Sequence, residues 1–300
     1  MLNRITTGAA ARQMNGNLQN SLRGLTQIQN ELTTGRRINR MSDGPAEATT
    51  SLAQRAQLRQ TEQYARNADR SQMWLRSGDV ALGAASDQLA NARNLVIQAR
   101  SGATDPASRA AIADQLRQVR ESLLATANSQ TGGRPIFGGT TAGAVAYDSA
   151  GVYQGDAGIV NLQVAPNQST AVNVTGTTVF GTPNTTTPLN GDVFQLLDAL
   201  ATAVAANDQA SLANSTGLID AATARVAQAQ VVIGSRSAQM EETQQQNVDA
   251  TIAFKSSISR LEDVDMAEAL ISLRSKEAAY QAALQVTARV IQPSLLDFLR

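Results

Sequence analysis

The chain has 300 residues, 42% of them hydrophobic but only 3% aromatic, enough apolar content for a folded core and too few rings for a thick one. Its 25 basic and 25 acidic residues cancel, so the chain as a whole offers no field to hold a nucleic-acid backbone. Cysteine and histidine are absent, which excludes thiol nucleophiles, disulfides, Cys/His zinc sites and the commonest general base near neutral pH. The start, Met1 to Gly8, lacks an apolar run of signal-peptide length, and no window approaches the roughly 20 apolar residues of a membrane span. A soluble chain is expected, without membrane insertion and with any export independent of a cleaved signal peptide.

In the first segment Leu18, Leu22, Leu25, Ile28 and Leu32 recur every three or four residues, the spacing of one helix face, and Gly35 ends the run. A loop from Gly35 to Met41 carries Arg36, Arg37 and Arg40. Ser42 and Asp43 then offer caps, Pro45 suits a first helical turn, and Glu47 complements the positive end of a helix dipole. The spacing predicts one long helix over about 46–100, with Leu75, Leu82, Leu89 and Val96 forming a heptad seam; Gly78 and Gly83 are expected to weaken or bend it. Asp105 and Pro106 read as N-cap and first-turn proline of a second helix, striped by Ile112, Leu116, Val119 and Leu123, which returns along the first to about Ser129.

Over residues 131–190 Gly, Thr, Ser, Asn and Val dominate, and Ile159 to Val164 and Ala171 to Val174 look like strands of a small β-rich insertion. Its Thr185, Thr186 and Thr187 could carry glycans, although strand and loop propensity accounts for them more cheaply. Helix signals return at Asp192, with Gln195 as its capping-box partner, and continue through Ile219, Val226 and Ile233 to about Leu261. A last helix starts at Asp265 with Glu268 as a further capping pair, and carries Met266, Leu270, Leu273, Tyr280, Leu284 and Ile291 on a 4,3 repeat.

These elements predict a mainly α fold, an elongated antiparallel helical rod formed by residues 42–130 and 191–261. Residues 131–190 form its β-rich inserted domain, and residues 1–41 and 262–300 are coiled-coil segments at the ends. The terminal seams are too thin for the apolar area they could bury to offset the cost of ordering so much chain. Those segments are therefore expected to be disordered in the monomer and to become helical on assembly. The expected assembly interface consists of Leu18, Leu22, Leu25, Ile28, Leu32, Met266, Leu270, Leu273, Tyr280, Leu284, Ile291, Leu295, Leu296 and Phe298. Arg36, Arg37 and Arg40 read either as an inter-subunit loop, touching acidic residues of an adjoining copy, or as a solvated loop; three charges make a weak membrane anchor.

No catalytic, cofactor or metal residue is assigned. Gly133 to Thr140 mimics a phosphate loop, but Gly139 stands where the lysine belongs and Pro135 removes an amide donor, so a connector between helix and strand is the better reading. Glu262, Asp263, Asp265 and Glu268 lack the alternation and the glycine of a calcium loop, and helix capping accounts for them.

Leu32-Thr33-Thr34-Gly35-Arg36-Arg37-Ile38-Asn39 followed by Ser42-Asp43-Gly44-Pro45 resembles the amino-terminal signature of the bacterial flagellin family. Leu261 to Glu268, Tyr280 to Val286 and Ile291 to Leu299 resemble its carboxy-terminal segment. One departure is Gly44, where the family often has a second aspartate. Within the family, Ser294 to Leu299 and Gly133 to Gly139 look more like the hook-associated members than the filament flagellins. The resemblance implies a non-enzymatic structural subunit at the hook-filament junction. It would be exported unfolded by the flagellar type III apparatus with a chaperone on its carboxy-terminal segment, and incorporated as a ring beside hook-associated and flagellin subunits outside the cell. Filament flagellin is the nearest alternative, and a secreted module whose insertion binds a glycan or a surface is a more distant one.

Overall fold

The computed structural model describes residues 2–101, 105–141, 143, 145–184 and 186–291, with backbone alone for residues 2–8, 10, 11 and 289–291. In chain order the elements are α1 (Leu2–Thr34), α2 (Pro45–Arg100), α3 (Pro106–Ala127), β1 (Gln130–Thr131), β2 (Arg134–Pro135), β3 (Asn161–Ala165), β4 (Gln168–Ala171), α4 (Gly176–Phe180), α5 (Val193–Ala206), α6 (Gln209–Ala213), α7 (Ser215–Glu262) and α8 (Met266–Ile291). Short 3-10 turns lie at Met41–Asp43 and Pro188–Asn190. The fold is thus mainly α with a small β region, as the periodicity predicts. It divides into two compact units, one from residues 61–249 and one from residues 1–60 with 250–300. The division falls inside α2 and α7 and not at the loops beside residues 41 and 262.

In the unit of residues 61–249, the heptad seam of α2 is the core: Leu75, Leu82, Leu89 and Val96 are completely buried. The stripes of α3 (Ile112, Leu116, Leu123) and α7 (Ile219, Val226, Ile233) join them in one apolar cluster. Polar contacts at the margins align the helices. Gln88 donates to Thr126 Oγ1 on α3 at 3.2 Å, Gln72 to Ser237 Oγ on α7 at 2.8 Å, and Arg93 Nε meets Asp220 at 2.7 Å. Residue numbers rise along α2 as they fall along α7, so these stretches are antiparallel. The two glycines leave α2 an unbroken helix. A Cβ at Gly78 would lie 2.8 Å from Ile233 Cδ1, so that glycine's role is close approach to α7 and not a helix break.

Capping follows the sequence in part. Asp105 accepts from the Ser108 amide with Pro106 in the first turn, and Asn207, at φ 58°, ends α5 in the left-handed conformation. Asp192 accepts from the Gln195 amide at 2.8 Å, but the Gln195 side chain accepts from the Asn184 amide instead of closing a capping box.

The inserted region contains less sheet than its composition predicts. β1 and β2 make a two-residue hairpin through Gly132 and Gly133, both at positive φ, which places the phosphate-loop mimic in a β-turn. β3 pairs with β4 antiparallel, Asn161 opposite Ala171, turning at Asn167 with φ 59°. The second strand is therefore Gln168–Ala171 and not Ala171 to Val174. The ladder stops because the Asn173 side chain takes the Val160 amide at 2.9 Å and its own Nδ2 donates to the Gly158 carbonyl. What holds this region is an aromatic cluster: Tyr147 lies 4.9–5.8 Å, centroid to centroid, from Tyr153, Phe180 and Phe194, and Phe137 lies 5.3 Å from Phe180.

In the other unit α1 and α8 pack on each other. Gly35, at φ 69°, terminates α1. Ser42 and Asp43 do not cap α2. The Asp43 carboxylate turns back to the amides of Asn39 and Arg40, at 3.1 and 2.8 Å, and these bonds, Arg40 first, hold its pKa below the ordinary value. The Gly44 carbonyl accepts the first helical amide, from Ala48, at 2.8 Å.

Candidate functional site: the paired terminal helices

The Val264 amide donates to the Gly35 carbonyl at 3.1 Å, and a Cβ on Gly24 would come within 3.0 Å of Lys276 Nζ. The end of α1 thus meets the start of α8, and the two helices run antiparallel. On α1 Ile28 is buried and Leu18, Leu25 and Leu32 are half-buried, at 7-, 3- and 4-residue steps, whereas Leu22 stands outside the seam at 45% exposure.

On α8 the expected assembly residues divide between the face toward α1 and the outer face. Ala269 is buried and Leu273, Tyr280, Ala283 and Thr287 are half-buried, while Met266, Leu270 and Leu284 are 49%, 50% and 42% exposed. Ala269, Ala283 and Thr287 share the α1 side with Leu273 and Tyr280, and Met266, Leu270 and Leu284 point away. Ala269, Ala283 and Thr287 are the positions that a search for large apolar residues passes over, though they lie on a 4,3 repeat of their own through Leu273 and Tyr280. The pairing in one chain buries only a narrow strip and leaves Leu22, Met266, Leu270, Ile271 and Leu284 in water. Ile291 falls at the end of α8, its side chain outside the description, and Leu295, Leu296 and Phe298 lie outside the described residues.

The loop arginines meet α7 within the chain. The Glu262 carboxylate, 7% exposed, accepts from Arg55 Nε at 2.8 Å, from Arg55 Nη2 and from Ser51 Oγ. Arg36 Nη1 stands 3.8 Å away. The Glu262 backbone carbonyl accepts from the Arg37 amide at 2.6 Å, Arg37 Nη2 donates to the Leu261 carbonyl at 3.1 Å, and Arg36 and Asp263 form an antiparallel bridge. The Arg55 hydrogen bonds, together with Ser51 and the nearby positive charges, outweigh desolvation and hold the Glu262 pKa down to about 2. Arg40 makes no ion pair with Glu262; it lines an open groove with Leu22, Thr26, Gln27 and Asn39 and a second one that Arg36, Arg55 and Glu262 also border.

Among the described residues no group of three or more His, Cys, Asp or Glu side chains could hold a metal ion, and no helix is long and apolar enough to cross a membrane. Asp265 accepts from the amides of Ala267 and Glu268 at 2.9 and 3.2 Å, as an N-cap does.

Two family descriptions match the chain: the bacterial flagellin N-terminal helical region over residues 5–142 and the C-terminal helical region over residues 216–299. The flagellar hook-associated protein 3 of Salmonella typhimurium is 25% identical over 299 residues, covering 93% of this chain and 94% of the relative. Its namesake from Escherichia coli is 25% identical over 296 residues, covering 88% and 92%. In fold, the chain is similar to a putative flagellar hook-associated protein from Vibrio parahaemolyticus, with a TM-score of 0.66 at 21% identity over 74% of this chain and all of that one.

Proposed function

Because this chain belongs to the bacterial flagellin family, we propose that it is a structural subunit of the flagellum at the hook-filament junction, assembling through α1 and α8. The observation that carries this reading is the mismatch on the terminal pair. α8 turns Ala269, Leu273, Tyr280, Ala283 and Thr287 to α1 and leaves Met266, Leu270 and Leu284 exposed, a surface that a neighbouring helix would cover. Hook-associated protein 3 is the name of two of the relatives, each matched over most of its length. The partners are further copies of the chain in a ring, adjoining hook-associated and flagellin subunits, and an export chaperone on the carboxy-terminal segment. The subunit acts outside the cell as part of the axial structure and performs no catalysis.

Assembly is coupled to ordering: α1 and α8 are disordered in the free subunit while the connections at residues 35–44 and 263–265 stay in place, a narrower span than the 1–41 and 262–300 expected from sequence, and burial against neighbouring helices supplies the free energy that folds the two helices. Deleting residues 291–300 should leave the helical unit of residues 61–249 folded and abolish incorporation at the junction. Normal incorporation of the truncated chain would overturn the reading. Indefinite extension of the purified chain on a flagellin seed would assign it to the filament instead.

A further inference from the structure

We propose that Glu262 is a positioning residue that clasps the two points where the chain enters and leaves the terminal helix pair, so that α1 and α8 are presented from one fixed place. The inference rests on the assembly role of these helices and adds the device that aims them.

Two connections join the terminal helices to the rest of the chain, residues 35–44 between α1 and α2 and residues 263–265 between α7 and α8. Left alone, two short loops would let α1 and α8 swing independently. They are held instead by two backbone hydrogen bonds, Arg37 N–H to the Glu262 carbonyl and Val264 N–H to the Gly35 carbonyl. Two such bonds on exposed segments are modest in net effect. Glu262 adds what they lack. Its side chain is buried and charged, takes both edges of the Arg55 guanidinium and the Ser51 hydroxyl from α2, and faces Arg36 from the first connection. Through carbonyl and carboxylate together, one residue at the end of α7 grips α2 and the connection from α1. A buried, bidentate, charge-assisted pair is the arrangement that specifies geometry.

Glutamine at this position keeps the shape but not the charge, and turns an amide donor toward the Arg55 and Ser51 donors. The test is amide hydrogen exchange read residue by residue on the purified full-length chain. In the unaltered protein the Arg37 and Val264 amides exchange slowly. In Glu262→Gln they exchange about tenfold faster or more, with the amides of residues 61–249 unchanged. Arg55→Lys, which loses the two-pronged contact, moves the same two amides in the same direction by less. Unchanged exchange at Arg37 and Val264 in Glu262→Gln, or acceleration spread evenly along the chain, overturns the proposal. Mixed with equal unaltered protein, Glu262→Gln is incorporated at the junction several-fold less often; equal incorporation despite faster exchange would overturn the aiming role. Exchange is read on free subunits, so failure of the unaltered chain to incorporate would refute the junction assignment and leave the clasp standing.

Discussion

The Glu262 carboxylate is buried among Ser51, Arg55 and Arg36, and the charged groups around it are Arg36, Arg37, Arg40, Arg55, Lys255 and Asp263. Its pKa falls from an ordinary 4.5 to about 2, so it binds a proton more weakly folded than unfolded. The stability it contributes is fully present above about pH 4.5 and is lost as the pH falls through about 2. Exchange at Arg37 and Val264 measured down that range should accelerate below pH 4.5, once corrected for intrinsic rates, and Glu262→Gln should flatten the profile. Gly139 is a second residue with no substitute. Its φ of 73° suits glycine, and a Cβ there would overlap the side chain and the backbone carbonyl of Asp156. Asp156 is pinned by the Thr140 hydroxyl and amide and by the Gly158 amide, so it cannot move aside cheaply. Gly139→Ala should destabilise the 61–249 unit by about 2 kcal/mol or more, seen as a lower midpoint in chemical denaturation. The sequence marks this glycine only as the missing lysine of a phosphate loop, because the need for it arises from a carboxylate seventeen positions away.

At the scale of elements, the long helices were legible because a heptad of leucines buries the same face turn after turn. Truncation of a completely buried member, Leu82→Ala, should cost about 2–5 kcal/mol in equilibrium unfolding. The terminal helices separate two kinds of leucine that look alike in sequence. Leu273 is half-buried in the α1 seam, while Leu270 and Leu284 are exposed. Replacing Leu270 and Leu284 together by glutamine should therefore change monomer stability by no more than about 0.5 kcal/mol each and still impair incorporation at the junction. Loss of monomer stability instead would place them in an intramolecular core. Large apolar residues on α8 mark a surface in the sequence, but which of them face α1 and which stay free for a partner depends on the pairing of the two helices. Strand β4 was displaced for a related reason, since Asn173 looks like strand composition until its side chain replaces the ladder it would have joined.

For the whole molecule the central expectation is a gradient of order. In hydrogen exchange on the free subunit, residues 2–34 and 266–291 should exchange rapidly and the helices of residues 61–249 slowly, with the Arg37 and Val264 amides marking the boundary. Protection along α1 and α8 equal to that of the core would mean a self-contained bundle whose ends do not wait for partners. The order of helices, their cores and the family were determined by the sequence itself, because hydrophobic period, caps and signature motifs are local and read directly along the chain. Three things were decided only in three dimensions: which face of α8 meets α1, where five scattered rings gather into the core of the inserted region, and that Arg36 and Arg37 meet Glu262 of their own chain. Each depends on contacts between residues far apart in sequence, and neither period nor propensity carries information about which distant group will stand opposite.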